Sequence, residues 1–439
     1  MTRREAPWVA WRHHFATLNW TLLDQALSSG TNFVLALIVV RSVPNADFGA
    51  FSVAALLYVL GVGFTRAITT EPLTIRHGRD DAAIRNAARR CCGAALGIGG
   101  VLGLACALAA PFVSGHLRVV LLIVGVTFPL LLVQDSVRVV FFAMQQPRRA
   151  AANDAVWALL ELGMIIAVRS VGSGVTSYVG AWLFSGAIAG LYGLLQLRLL
   201  PAFLAGPSWI REHRLLGLPL FWNFVLMSAP PYLLFAATPL VTGLGVLGTA
   251  RAAYIPFSPF GLLIQSSWML LLPAAARRSE RYVKRLAIAS SLALGSLAFL
   301  WTVTIVFAIP NGLGLRLIGS SWSITRGTRA VFGVALVAQA LGIGPLIALR
   351  ALERPGALVR VRMITAPLIL ATGLLAAARW GAIGVAVGIA LGDVSATLLS
   401  WKVQRHVLVV RKTAAESDIV REEPPANAFK LTELAADGV

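Results

Sequence analysis

Residues 71–90, EPLTIRHGRDDAAIRNAARR, lie between an apolar run at residues 48–70 and another at 91–113, and they hold Arg76, Arg79, Arg85, Arg89 and Arg90. The next connector carries only Arg118, and the one after it has Arg148 and Arg149. Basic residues thus crowd every second link. Translocating them across a bilayer is unfavourable, so a charge pattern that alternates between links marks a multi-pass membrane protein and orients each crossing.

Composition supports that reading. The 439 residues are 57% hydrophobic and 13% charged, with a mean hydropathy of +0.77, whereas a soluble domain carries about a quarter charged residues. The formal charge of +19 is spread over many short links rather than gathered on one soluble face, which argues for anionic lipid headgroups and against nucleic acid as its partner. Cys91, Cys92 and Cys106 fit small apolar residues in a packed helix, and no His completes a metal site. The first twenty residues, with Arg3, Arg4, Arg12, Trp8 and Trp11, read as a cytoplasmic interfacial anchor rather than a removable signal peptide.

A helix needs about 20 apolar residues to cross the hydrocarbon core. The runs are long and lack period-two alternation, so an all-α membrane fold is expected. Twelve spans follow, at residues 18–40, 48–70, 91–113, 119–144, 151–168, 175–197, 215–241, 246–272, 286–309, 330–349, 357–378 and 382–403. With both termini inside, 28 of the 38 Lys and Arg fall on the cytoplasmic side and eight outside, while Arg66 and Arg138 lie within helices. The stretch 311–329 is an outer loop with room for a short interfacial helix.

The link at residues 201–214 divides the chain into a six-helix lobe at 1–200 and a second at 215–403. Residues 404–439, with Glu416, Asp418, Glu422, Glu423, Pro424 and Pro425, read as a disordered cytoplasmic tail. Punctuation recurs across the divide. Gly49 near the start of the second helix is matched by Gly248 near the start of the eighth, 199 positions later, and Pro111 by Pro310 at the same offset. Such recurrence suggests a duplicated six-helix unit around a central cavity, a plan that serves alternating access.

An ionisable side chain inside a span costs a few kcal/mol and points to function. Asp24, Arg66, Asp135, Arg138, Glu161 and Asp393 lie within spans, and Arg251 lies near a helix end. Asp135 and Arg138 share a helical face at a spacing of three, where they can neutralise each other or bind cargo. Asp24 leads a polar stripe through Gln25, Ser28, Ser29, Thr31 and Asn32 that either lines a cavity or joins helices. Asp393 follows Gly384, Gly388 and Gly392, a seam suited to close helix packing. Pro219, Pro230, Pro231, Pro239, Pro256 and Pro259 make the seventh and eighth helices a bending gate or a static kink.

The stretch Asp24-Gln25-Ala26-Leu27-Ser28-Ser29-Gly30-Thr31-Asn32-Phe33, continuing through Ala36 and Arg41 to Phe48-Gly49-Ala50-Phe51, resembles the first helical hairpin of bacterial polysaccharide flippases. These belong to the multidrug/oligosaccharidyl-lipid/polysaccharide exporter superfamily. The twelve helices, the two lobes and the Gln145-Gln146-Pro147 link are similar as well. The resemblance implies a flippase, not an enzyme, that moves a polyprenyl-diphosphate-linked oligosaccharide from the inner to the outer leaflet of the cytoplasmic membrane. It implies cationic cavity residues for the diphosphate, by position Arg66, Arg138 and Arg251, with Asp24, Asp135, Glu161 and Asp393 as counter-ions or cation-coupling sites. Polysaccharide polymerase and assembly proteins are the partners such a role implies. The lipid II flippase branch usually has two more helices. A cation-coupled drug exporter of the same superfamily is the alternative, and a membrane-embedded polymerase or ligase the third reading. No phosphate-binding loop is present, so H+ or Na+ or cargo flow is expected to supply the energy, and no cofactor or metal is expected.

Overall fold

The computed structural model describes residues 29–77, 81–171, 174–276 and 278–422. All regular structure among them is helical. That is the outcome the apolar runs demand, because hydrocarbon offers no partner for an unpaired backbone group. The N-terminal anchor and Asp24 lie outside the described residues.

Helix α1 (Ser29–Ser42) is followed by α2 (Asn45–His77), α3 (Ile84–Phe112), α4 (Gly115–Ala143), α5 (Pro147–Ser170) and α6 (Val175–Leu197). The seventh crossing is two helices, α7 (Phe203–Met227) and α8 (Pro230–Thr242), bent by 65° at their junction. The eighth is also broken, into α9 (Leu244–Tyr254) and α10 (Ser258–Ala276) with a tight turn at Ile255–Phe257. Then come α11 (Glu280–Ala308), the short α12 (Asn311–Ile318), α13 (Arg326–Ala351), α14 (Gly356–Trp380) and α15 (Ala382–Glu422). Nine described helices are long and apolar enough to span a bilayer, ten with the bent pair. The remaining two of the expected twelve are α1, whose described part is short, and the broken α9–α10.

The link at 201–214 is itself largely helical, because α7 runs unbroken through Arg211, Glu212 and Arg214. One expectation is revised at a boundary. Helix α15 continues to Glu422, well into the segment read as disordered. The short α12 does occupy the loop at 311–329.

In the first half α4 packs along α3 and α6, and α5 along α6; in the second, α15 packs along α14 and α13. Leu108 and Val126 in the first half, and Leu292, Leu300 and Leu375 in the second, stand exposed on the surface. Exposed apolar side chains on this scale face lipid rather than water. The glycines at 384, 388 and 392 lie directly against α14.

The first turns of α2 and α9 cross. A Cβ on Gly49 would overlap the Leu244 carbonyl, and a Cβ on Gly248 would overlap the Asn45 carbonyl. Since Asn45 and Leu244 stand at the same 199-residue offset as the two glycines, the contact is reciprocal, as a pseudo-twofold axis requires. Asn45 reinforces it, donating from Nδ2 to Thr249 Oγ1 at 3.2 Å and accepting from Ser321 Oγ at 2.6 Å.

Candidate functional site

The first half concentrates its buried charge where α2, α4 and α5 meet. Helix α2 widens into a π-helical turn at Arg66–Thr70, a distortion that inserts a residue and re-aims the side chain at its start. Arg66 there donates from Nε to Asp135 Oδ2 at 2.8 Å and from Nη2 to Oδ1 at 2.5 Å. This two-pronged pair is the strong form of the interaction. Asp135 keeps 4% of its side chain exposed and Arg66 38%, so the carboxylate is sealed in while the arginine side chain is partly exposed.

Arg138 pairs with Asp154 of α5, Nε to Oδ2, at 3.1 Å. Gln134 donates to the other Asp154 oxygen at 3.1 Å and to Asn153 Oδ1 at 3.1 Å. Asp135 and Arg138 therefore do not neutralise each other; each finds its partner on a neighbouring helix. Tyr58 of α2 lies within electrostatic reach of all four charges and rests edge-on against Trp157 and Trp182. The sequence reading missed Tyr58 and Asp154. Asp154 sits near the start of its helix, only five residues after Arg149, and Tyr58 carries no charge at neutral pH.

In the second half Arg251 lies in the last turn of α9, near a helix end as expected. Its guanidinium lies 5.3 Å from the centre of the Phe235 ring and 5.8 Å from that of Tyr254. Cations over aromatic faces are held by the ring quadrupole. Its Nε is buried and has no hydrogen-bond partner among the described residues. Arg251 lines a cavity of ≈ 440 Å³ with Ser29, Asn32, Phe33, Tyr254 and Ser258. The α1 stripe thus turns two of its polar residues toward this space. Asp393 on α15 is 8% exposed and within electrostatic reach of Tyr254 and of Arg362 on α14.

The other side of α1 faces α5. Thr31 and Glu161 line a second cavity of ≈ 370 Å³ whose walls are otherwise apolar, including Val34, Leu35 and Ile165. Glu161 is buried and forms no ion pair among the described residues. The candidate site therefore has three parts: the cross-helix charge network of Arg66, Asp135, Arg138 and Asp154, and two cavities that α1 lines, one with Arg251 and the other with Glu161. No group of three His, Cys, Asp or Glu able to hold a metal ion occurs among the described residues.

No protein family matches the sequence, and no curated protein matches it. Solved structures do. The chain is similar to a multidrug resistance MATE family transporter of the MOP superfamily in its inward-facing conformation, with 15% identity over 89% of this chain and 96% of that one and a TM-score of 0.64. It is similar to the lipid II flippase MurJ in an inward closed conformation, with 12% identity, 87% and 86% coverage and a TM-score of 0.65. For an outward-facing MATE conformation the TM-score is 0.53, with 16% identity and 90% and 96% coverage. At these identities the shared property is the fold: a multi-pass helical architecture found in both a drug transporter and a lipid flippase.

Proposed function

We propose that the chain is a flippase that moves a polyprenyl-diphosphate-linked oligosaccharide from the inner to the outer leaflet of the cytoplasmic membrane by alternating access. Two six-helix lobes, 1–200 and 215–403, move about the α2–α9 crossing, with both termini on the cytoplasmic side. One observation carries the reading: Arg251 lines the cavity beside α1 with a buried Nε that has no hydrogen-bond partner among the described residues. A desolvated donor left without a partner is costly, and an anionic cargo would satisfy it. Arg66, whose side chain is partly exposed, and Arg138 would supply further positive charge for the diphosphate.

The test is glycan export in cells that depend on this chain. Arg251→Ala, Arg66→Ala and Arg138→Ala should each impair export while membrane insertion stays intact. Normal export in all three would overturn the assignment.

A cation-coupled exporter is the second reading, favoured by Glu161. A carboxyl group in an apolar pocket facing Thr31 is placed to take up and release a proton or Na+ as α1 moves. Drug efflux that is driven by an ion gradient and lost in Glu161→Gln, with no effect of the arginine variants on glycan, would favour it.

A further inference from the structure

A third cavity lies apart from the candidate site, at the end of the fold that the charge pattern assigns to the cytoplasm. It encloses ≈ 480 Å³ where the end of α2, the start of α3 and the start of α7 meet, and Arg76, His77, Arg90, Trp209, Glu212 and His213 line it. Two of these elements belong to the first half and one to the second.

The cavity has a built interior. Trp209 is 1% exposed and His213 4%, and their rings stack at 3.9 Å between centres. His213 donates from Nδ1 to the Trp209 carbonyl at 3.0 Å, which fixes its ring and leaves Nε2 as its remaining polar atom. His77 packs 5.8 Å from both rings. The Trp209 indole Nε1, a donor only, is buried with no hydrogen-bond partner among the described residues. An unused buried donor beside basic side chains selects for an acceptor-rich anion.

Arg90 shows how such an anion would be held. Its guanidinium lies 5.7 Å from the centre of the Trp209 ring, and Nη2 donates to Ser208 Oγ at 3.1 Å and to Glu212 Oε1 at 2.5 Å. Glu212 keeps 52% of its side chain exposed, so it can swing into water at little cost and give up its place. A carboxylate therefore occupies, from within the chain, the position that an incoming oxyanion would take. Arg76 adds a second cation to the lining.

We propose that this cavity is a phosphate-binding site, filled by the phosphate of an anionic lipid headgroup or of a soluble phosphate compound, with Glu212 as its internal competitor. Bound phosphate would join α2 and α3 to α7 and so hold this end of the two halves together. The site does not rest on the cargo reading, since it shares none of the residues assigned to the central cavities.

The full-length protein in mild detergent is titrated with dioctanoyl phosphatidic acid, with sodium pyrophosphate, and with dioctanoyl phosphatidylcholine as control, and thermal unfolding is followed. Stabilisation by phosphatidic acid alone assigns the lipid source, and by pyrophosphate alone the soluble one. The variant carrying Arg76→Gln and Arg90→Gln should need at least about tenfold more ligand, as loss of charge-assisted hydrogen bonds requires. Glu212→Gln, which keeps both cations, should need several-fold less. No stabilisation by either phosphate, or midpoints unchanged in both variants, would overturn the proposal.

Discussion

At the residue scale, the pairing of Arg66 with Asp135 is the feature that most constrains the first half. Spacing along one helix suggested a partner three residues away, yet Asp135 turns to α2 and Arg138 to α5. Cross-helix pairing wins because each charge then cancels an opposite one that would otherwise sit unpaired at membrane depth, where a lone charge costs about 3 kcal/mol. Replacing one partner leaves the other without its counter-ion, which is more damaging than removing both. Asp135→Asn and Arg66→Gln should each lower the unfolding temperature in detergent, and the double variant should lose less than the two combined. The coupling energy from that cycle should be about 1–3 kcal/mol; additive losses would show that the pair contributes nothing beyond its separate side chains.

At the element scale, the helices were legible because about 20 apolar residues between basic links have one stable solution in a bilayer. Their interruptions were only half legible. Pro230 and Pro231 flagged the seventh crossing, and the chain bends by 65° just before α8; Pro256 flagged the eighth, where the turn at Ile255–Phe257 separates α9 from α10. The π-helical turn at Arg66 left no mark in the sequence. Arg251 was readable as a residue near a helix end, but the aromatic rings that shelter it were not, because they come from α8 and α9 together. Of the candidate site, therefore, the ionisable residues other than Asp154 were readable and their pairing was not. The glycines at 49 and 248 were noticed as a recurrence, but their purpose is the close approach of α2 and α9. Gly49→Ala and Gly248→Ala should each push these first turns apart by about 1–2 Å, the scale on which side-chain size sets helix separation. Distances between spin labels on α2 and α9 would measure it, and unchanged distances in both variants would mean that the crossing is not packed as described.

At the scale of the whole molecule, the reciprocal crossing of α2 and α9 closes the fold at one end while the cavities on either side of α1 remain. On the proposed alternating-access reading, this closure has to part in every cycle. The closure is polar as well as steric: Asn45 bridges to Thr249 across the seam and to Ser321 from the α12–α13 segment. Hydrogen bonds of this kind contribute about 1 kcal/mol each, enough to bias a two-state equilibrium and too little to lock it. A covalent link at the same place would lock it. Asn45→Cys combined with Thr249→Cys places two thiols where the native side chains already touch, while the natural Cys91, Cys92 and Cys106 are buried and shielded from mild oxidant. Oxidation should then stop export and reduction should restore it, with either single variant indifferent to both. Export that continues at full rate through a completely cross-linked protein would show that the two halves do not part along this seam, and that the cavities are reached by another route.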